Sequence, residues 1–385
     1  MEVKPGYKQT EVGVVPTDWT TRALGEIGDS LIGLTYRPDQ VRDHGTLVLR
    51  SSNIQEGTLR FDDNVYVDAD IPERIMVRPG DILICVRNGS RDLIGKTALL
   101  DERTVGMTFG AFMAVFRSTA GQFVNYLFQS DILKRQINEH LGATINQITN
   151  KSLNSFRIPL PPTEVERRAI SAALSDVDAL LSGLDRFIAK KCDLKQAAMQ
   201  QLLSGQTRLP GFHGEWEVKR MGEVLAICHG RNQRDVEAPD GPYPILATGG
   251  RIGTASRPLY DRPSVLIGRK GTINKPQYMD TPFWTVDTLF YSEMKGSNSA
   301  RFFFYVFCMI DWMQFNEASG VPSLNARTIE RIEIDWPEPR EQTAIAAVLS
   351  DMDAELAALE ARRDKTRALK QAMMQELLTG RTRLT

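Results

Sequence analysis

The sequence contains AISAALSDVDALLSGLDRFIAKKCDLKQAAMQQLLSGQTRL at residues 169–209, and this stretch returns at residues 344–384 as AIAAVLSDMDAELAALEARRDKTRALKQAMMQELLTGRTRL. The two copies align without a gap at a constant offset (344 − 169 = 175), and 23 of the 41 aligned residues are identical. More than a hundred residues separate the copies. A repeat of this length and separation indicates a duplicated module and not a solenoid of short units.

Both copies predict a long helix. Thr163 and Glu166 have the spacing of a capping box, which satisfies free amides in the first turn of a helix. Gly205 and Gly380 stand where each helix should end, because glycine adopts the left-handed cap without a Cβ penalty. The roughly 40 residues between these marks would form a helix roughly 60 Å long.

Apolar residues recur along each predicted helix in alternating steps of four and three, which is the pattern of a heptad seam. The seam consists of Ile170, Leu174, Val177, Leu181, Leu184 and Ile188 in the first copy, and of Ile345, Leu349, Met352, Leu356 and Leu359 in the second. So narrow a stripe suits one partner helix, and we expect each long helix to pair with the other. The alternative is that both helices pack in a globular core.

Length and composition indicate a chain with more than one domain. Its 385 residues are 42% hydrophobic and 25% charged, which is ordinary for a globular protein. No run of about 18 apolar residues occurs, so the sequence predicts no membrane span and a cytoplasmic location. The net charge of −1 does not suit a protein that coats nucleic acid by bulk charge.

The four cysteines are widely spaced and form no CxxC pair. A structural zinc site needs a tighter cluster of ligands, so we expect no metal site and free, buried thiols.

Two globular regions accompany the long helices. The first covers about residues 24–160 and the second about residues 221–336, and each combines strand-like runs with a helical pattern. The expected strands are residues 46–50, 64–67, 81–86 and 112–116 in the first region, and 243–246, 264–267 and 289–291 in the second. The expected helices are residues 123–141 and 301–315. The segments that open and close the two regions also correspond, with 144–149 matching 320–325. The chain therefore reads as globular region, long helix, globular region, long helix.

Catalytic motifs are weak in this sequence. Gly95, Lys96 and Thr97 resemble part of a phosphate-binding loop, but Gly89 lies one residue too far upstream and no apolar helix follows. The segment 280–283, Asp-Thr-Pro-Phe, is close to the Asp/Asn-Pro-Pro-aromatic motif of amino-methyltransferases, but it lacks the first proline. We expect a turn before a strand there and no catalytic set in the chain.

Basic and amide side chains gather on glycine-rich loops that follow equivalent strands. In residues 229–275, eight Lys or Arg residues stand against four acids, although the whole chain is nearly neutral. Arg and Asn can contact guanine and adenine edges, and Lys can bind phosphate. The alternative for each residue is an ordinary solvated loop side chain. The DNA-binding candidates are Arg87, Asn88, Arg91, Lys96, Arg231, Arg234, Arg251, Arg269, Lys270, Asn274 and Lys275.

The chain resembles the specificity subunit of type I restriction-modification enzymes over nearly its whole length. The resemblance is carried by the opening GYKQTEVG and the following Asp18-Trp19, by Gly80-Asp81-Ile82-Leu83-Ile84, by Pro322-Ser323-Leu324-Asn325, and by helices that end in Leu-Leu-Ser/Thr-Gly. The sequence departs from the pattern at Glu166-Arg167, where Glu-Gln is usual and is present as Glu341-Gln342.

The resemblance implies an α+β fold in which two mixed α/β target-recognition domains alternate with two long helices. These helices would pair as an antiparallel coiled coil, with a pseudo-twofold internal repeat. The implied boundaries are 1–160 for the first recognition domain, 161–209 for the first spacer helix, 210–336 for the second domain and 337–385 for the second spacer helix.

The resemblance also implies the partners. The chain would bind double-stranded DNA, two modification (methyltransferase) subunits and the restriction (motor and nuclease) subunits, with no membrane. It would be non-catalytic and hold no cofactor, because S-adenosylmethionine belongs to the modification subunit, and ATP and Mg to the restriction subunit. Two alternatives remain open, a self-contained DNA methyltransferase or nuclease and a protein-only coiled-coil adaptor.

Overall fold

A computed structural model describes residues 4–142 and 146–384 of the protein, which divide into two units. The first unit consists of the described residues up to Gly183 together with those from Arg363 onward. The second unit runs from Leu184 to Arg362. Each unit contains helices, strands and its own hydrophobic clusters. This mixed content agrees with the predicted α+β class.

The repeated segment forms two long helices, as its pattern predicts. The helices are, in chain order, α1 Gly121–Gln129, α2 Asp131–Leu141, α3 Asn150–Ser155, α4 Glu164–Leu203, α5 Met221–Val224, α6 Ala300–Met309, α7 Ala326–Glu330 and α8 Pro339–Leu377. Helix α4 has 40 residues and α8 has 39. Gly205 and Gly380 follow them with φ values of 68° and 67°, which confirms the predicted left-handed caps.

Fourteen strands are described before α4. They are β1 Tyr7–Thr10, β2 Gly13–Pro16, β3 Thr20–Ala23, β4 Asp29–Ile32, β5 Val41–Arg42, β6 Thr46–Leu49, β7 Ile54–Gln55, β8 Thr58–Leu59, β9 Tyr66–Val67, β10 Ile82–Cys85, β11 Thr97–Leu99, β12 Thr108–Phe109, β13 Met113–Arg117 and β14 Arg157–Leu160. Nine more follow α4: β15 Glu217–Arg220, β16 Leu225–His229, β17 Tyr243–Ala247, β18 Gly250–Ala255, β19 Ser264–Gly268, β20 Gln277–Met279, β21 Trp284–Thr285, β22 Leu289–Met294 and β23 Glu333–Trp336.

The two globular regions share one strand plan. The first has a four-stranded sheet in the order β4-β13-β10-β11, and the second has β16-β22-β19-β20, all antiparallel. A parallel pair, β6 with β12 or β17 with β21, accompanies each sheet. The pairs β3 with β14 and β15 with β23 bring the start and end of each region together. The similarity that the sequence shows only at the segment ends therefore extends through both regions.

Each unit contains halves of both long helices, and these halves run in opposite directions. In the first unit, Asp178 of α4 pairs with Lys370 of α8 (Oδ1 to Nζ, 2.7 Å). Apolar side chains from both helices enter the hydrophobic cluster of the globular region, among them Leu174 and Met374. In the second unit, Lys191 of α4 pairs with Glu355 of α8 at 2.7 Å.

Arginines that follow the long helices anchor the start of the opposite helix. Arg383 binds Glu166 (Nη2 to Oε2, 2.9 Å) and Asp18 (3.0 Å), and its guanidinium lies 5.8 Å from the Trp19 ring centroid. In the second unit, Arg208 binds Glu341 in the same way, at 2.6 Å. Trp216 Nε1 also donates to this carboxylate, at 3.0 Å.

These anchors correct the predicted capping box. Thr163 Oγ1 accepts a hydrogen bond from the Glu166 amide at 3.2 Å, as a cap should. The Glu166 side chain binds Arg383 instead of completing the box, because the guanidinium supplies a charged donor to a carboxylate that is only 3% exposed.

Both predicted globular helices are broken in the structure. The expected helix 123–141 is two helices, because the Ser130 side chain accepts a hydrogen bond from the Ile132 amide and starts α2. The expected helix 301–315 ends as α6 at Met309, and a separate 3-10 turn follows with Asp311 as its cap. A local side-chain cap outweighs the continuous apolar pattern at both places.

The four cysteines are free, but they are not all buried as expected. Cys85 is buried and Cys228 is half-buried, whereas Cys192 and Cys308 are exposed. Burial raises the pKa of the Cys228 thiol to about 11.

Candidate nucleic-acid interface

The two basic loops occupy equivalent places in the two units. After β10, the amides of Val86 and Arg87 both donate to the Phe112 carbonyl, at 3.1 Å. After β19, the amides of Arg269 and Lys270 both donate to the Thr288 carbonyl, at 2.8 and 3.2 Å. Arg87 and Lys270 therefore correspond, although the surrounding sequences have diverged.

The matched closing segments meet these loops. Arg87 pairs with Gln147 and Lys270 pairs with Ser323 as isolated antiparallel bridges. The Ile148 amide also donates to the Val86 carbonyl at 2.8 Å. The first two residues of the motif 144–149, Thr144 and Ile145, lie outside the described residues. Each basic loop is thus held between a strand end and the segment that starts the short helix α3 or α7.

The four candidates of the first unit differ in exposure and in the contacts that they make. Arg87 is exposed and lies over the Phe112 ring at 5.1 Å from the centroid, and this ring is itself 59% exposed. Asn88 donates to Ser51 Oγ at 3.3 Å, while Lys96 is half-buried. Arg91 donates to the carbonyls of Gly142 and Asn138, at 2.7 and 3.1 Å, so its guanidinium supports the end of α2.

In the second unit, the segment Trp284 to Thr288 brings several basic residues into one neighbourhood. The Arg231 amide donates to the Thr285 carbonyl at 2.8 Å, and the Arg231 carbonyl accepts from Trp284 Nε1 at 2.9 Å. Arg269 is held at the other end by Thr288.

The other candidates of this unit lie at varying positions. Arg251 is in strand β18, which joins the same sheet as β21, so it is a strand residue and not a loop residue. Arg234 lies on a turn, where its backbone amide donates to Asn232 Oδ1. Asn274 and Lys275 are exposed and directly follow the buried Ile273. Leu246 of β17 pairs with Thr285 of β21 on one side and with Arg251 of β18 on the other, so Arg251 also lies near the segment 284–288. We call the four basic residues around this segment the central group: Arg231, Arg251, Arg269 and Lys270.

The candidate cations differ electrostatically from the arginines of the framework. Arg117 lies 2.7 Å from Asp81, and the hydrogen bond between them raises the pKa of Arg117. In the part of the chain that the structure describes, none of the nine candidate Lys and Arg side chains forms an ion pair with a carboxylate. Uncommitted basic side chains on exposed loops can neutralise phosphates.

The two weak catalytic motifs lie at the starts of strands. Gly95 and Lys96 lead into β11, where a phosphate-binding loop would need a helix, and Phe283 is fully buried beside β21 as expected of a turn before a strand. Among residues 4–142 and 146–384, no group of three or more His, Cys, Asp or Glu side chains could hold a metal ion.

A groove of 340 Å³ in the second unit, between Leu203 and Asp335, has six apolar side chains and two carboxylates in its lining. None of the described helices is both long and apolar enough to cross a membrane.

The seam residues are all buried or half-buried. Ile170, Leu174, Leu184, Ile188, Ile345 and Leu349 are buried, and Val177, Leu181, Met352, Leu356 and Leu359 are half-buried. Ile170 and Leu174 pack in the core of the first globular region, and Ile345, Leu349 and Met352 in that of the second. The N-terminal end of each seam therefore also packs against a globular region.

In the C-terminal halves of the two long helices, a set of exposed residues is identical. It comprises Lys190, Leu194, Gln196, Ala197 and Gln200 on α4, and Lys365, Leu369, Gln371, Ala372 and Gln375 on α8. Leu194 and Leu369 are 47% and 54% exposed. Packing within the chain does not explain identity at exposed positions. We call these two sets the duplicated surface.

The family of the chain follows from its match to the model described as "Type I restriction modification DNA specificity domain". Residues 16–190 and 213–367 match it, so each match takes in a globular region and most of the long helix that follows. The chain belongs to this specificity family. The result confirms the resemblance drawn from the sequence.

Curated members of the specificity family are similar to the chain at low identity. The StySPI specificity subunit of Salmonella potsdam is 25% identical over 239 residues, which are 58% of this chain and 51% of that protein. The chain thus spans about half the length of this relative. A putative type I restriction enzyme specificity subunit of Methanocaldococcus jannaschii, MjaX, is 23% identical over 98% of this chain and 97% of its own.

A solved specificity-family structure has the same fold. The S subunit of the type I restriction-modification system from M. genitalium superposes with a TM-score of 0.65, covering 98% of both chains at 15% identity.

Proposed function

We propose that the chain is the sequence-specific DNA-binding specificity subunit of a type I restriction-modification complex and that it reads a bipartite target. The observation that carries the proposal is the equivalent placement of Arg87 and Lys270 in two regions of one strand plan. Within residues 4–142 and 146–384, neither side chain binds a carboxylate. Membership in the specificity family supports the same function. Each region would read one half of the target through base edges and phosphates.

The proposed division has four parts. Residues 1–160 and 210–336 are the two target-recognition domains, and residues 161–209 and 337–385 are the two spacer helices. We propose that the helices pair as an antiparallel coiled coil with a pseudo-twofold internal repeat. The opposed directions of the helix halves inside each unit support this pairing. A stiff spacer would make the gap between half-sites a geometric property of the protein, as dimer spacing does in helix-turn-helix repressors.

The proposed partners follow from the duplication. Two copies of one exposed surface suit a partner present in two copies, and we assign them to two modification (methyltransferase) subunits. Restriction subunits would join for cleavage. S-adenosylmethionine would be bound by the modification subunits, and ATP and Mg by the restriction subunits, so this chain would be non-catalytic. The proposed location is cytoplasmic, where the DNA target is.

Exchanging one recognition domain tests the proposal. The region 221–335 is replaced by the equivalent region of a specificity subunit with a different target, and methylated adenines are mapped after expression with the modification subunits. We expect one half of the methylated site to change and the other to stay. The matched exchange of residues 24–156 should change only the other half. A change in both halves, or in neither, would contradict the modular arrangement.

Two further outcomes would replace the proposal. Methyl transfer by the purified chain alone, with donor and DNA, would indicate a self-contained enzyme. If the complex shows no sequence-dependent retention of DNA, the chain would be a protein-only adaptor.

A further inference from the structure

A tyrosine of the first globular region meets both long helices at one carboxylate. Tyr126 on α1 is 5% exposed, and its hydroxyl donates to Asp178 Oδ2 of α4 at 2.9 Å. The other oxygen of this carboxylate, Oδ1, pairs with Lys370 Nζ of α8 at 2.7 Å. The ammonium group also lies 5.5 Å from the tyrosine ring centroid. We call these three residues the first triad.

The second unit contains the same arrangement with the helices exchanged. Tyr305 on α6 is fully buried, and its hydroxyl donates to Asp353 Oδ2 of α8 at 2.7 Å. Asp353 Oδ1 pairs with Lys195 of α4, whose ammonium lies 5.6 Å from the tyrosine ring centroid. We call these residues the second triad. In each triad the tyrosine and aspartate come from one copy of the repeat and the lysine comes from the other.

Filling space does not explain the two tyrosines. They stand in a shared pattern, Phe-x-x-Tyr-x-Phe, at residues 123–128 and 302–307. A phenylalanine would occupy the same volume among these aromatic neighbours without burying a hydroxyl. The hydroxyl adds direction, because its bond to the carboxylate exists at one position of the globular region on the helices and is lost on a shift of one turn. Buried polar groups that fix one register over another are known in helical assemblies.

Given the proposed function, on which this inference rests, we propose that the two triads are orientation latches. Each holds one recognition domain in a single position on the long helices, and together they determine how many base pairs the complex accepts between the two halves of its target. The tyrosines and aspartates are positioning residues, since they act through the placement of the domains and not by touching DNA.

The test replaces both tyrosines by phenylalanine, Tyr126→Phe with Tyr305→Phe, in the chain assembled with its modification subunits. Methylation is measured on a DNA library in which the half-sites are kept and the gap between them varies by one or two base pairs either way. We expect the half-site bases to be unchanged and the methylation of the neighbouring gap lengths, relative to the natural one, to rise about tenfold. Tyr66→Phe with Tyr243→Phe, on β9 and β17, is the matched control and should leave this ratio unchanged.

A ratio within twofold of that of the unaltered complex would overturn the latch. Should the double variant fail to assemble, the single variants Tyr126→Phe and Tyr305→Phe decide, because each removes one hydroxyl and leaves the other triad intact. A broadened gap preference in either variant supports the latch, and an unchanged preference in both overturns it. The unaltered complex separates the two proposals. If it methylates no two-part site, the proposed function fails. If it requires one gap length and the variants keep this requirement, only the latch proposal fails.

Discussion

At the scale of single residues, the protein divides its basic side chains into two groups. Framework arginines such as Arg117, Arg208 and Arg383 each bind a carboxylate that is about 3% exposed. Arg87 and Lys270 are exposed on equivalent loops and bind no carboxylate among the residues that the structure describes. The first group should determine stability, and the second should determine affinity for DNA.

Removing a loop cation should weaken DNA binding through fewer released counterions. We expect Lys270→Ala, and separately Arg87→Ala, to reduce the magnitude of the negative slope of log affinity against log salt by about 1 if the lost contact is to phosphate. Arg257→Ala, an exposed arginine of the second unit outside the central group, should leave the slope unchanged. Fluorescence anisotropy of the assembled complex on its target at several salt concentrations measures this. Equal slopes for all three variants would contradict the assignment.

Removing a framework arginine should cost stability. Arg383→Ala leaves the Glu166 carboxylate, 3% exposed, without its charged donor, and should lower the free energy of unfolding by about 2–3 kcal/mol. Arg208→Ala should act alike through Glu341. Arg168→Ala removes an exposed pair with Glu164 and should change stability by less than about 0.5 kcal/mol. Urea denaturation compares the three, and equal losses would refute this account of the anchors.

The Asp18 and Arg383 pair should make stability depend on acid. The hydrogen bond from Arg383 lowers the pKa of Asp18 below its usual 3.8, so the pair's stabilisation is present above that value and is lost as the pH falls through the folded-state pKa. The melting temperature of the wild type should exceed that of Asp18→Asn at pH 6. This difference should narrow as the pH falls from about 5 to 3. Thermal melts across this range test the expectation, and a constant difference would contradict it.

At the scale of elements, the repeat predicted the long helices well because their pattern is local. Heptad spacing, Gly205 and Gly380 lie within one segment and are read directly from it. The breaks after α1 and α6 escaped prediction because one polar cap, such as Ser130, interrupts a pattern that is otherwise apolar. The short strand β4 also escaped prediction, since it depends on a distant partner, β13.

The helix caps offer a graded stability test. Gly380→Ala should cost about 2–4 kcal/mol, because φ is +67° and a Cβ would lie 2.6 Å from Pro16 Cγ. Gly205→Ala, with φ +68° and its nearest neighbour in Trp216 at 3.3 Å, should cost about 1–2 kcal/mol. Gly183→Ala faces open space inside α4 and should stabilise by about 0.5–1 kcal/mol. Denaturation midpoints in this order support the caps, and a stabilised Gly380→Ala would contradict them.

The candidate interface was predicted only in part. The sequence indicated basic loops after equivalent strands, because runs of Arg, Lys, Asn and Gly are visible locally. It could not show that Arg91 binds carbonyls at residues 138 and 142 or that Phe112 is exposed beside Arg87, because these contacts join distant segments. The triads were missed for a related reason. Their tyrosines are 179 residues apart, whereas the aspartates and lysines are 175 apart, so no single offset aligns them.

At the scale of the whole molecule, one duplicated module accounts for the architecture. Both globular regions use the same strand order, both long helices present the duplicated surface, and each unit takes helix halves from both copies. Loops that diverge on a shared framework suit two readers with different targets and one kind of partner. Under the proposed function, the chain is a single reader of two separated sequences.

The most direct test is to map methylated adenines in DNA modified by the intact chain together with its modification subunits. The account predicts a target of two short sequences separated by a fixed number of unread base pairs, with no methylation when this chain is omitted. A single continuous target, or the same methylation without this chain, would contradict it.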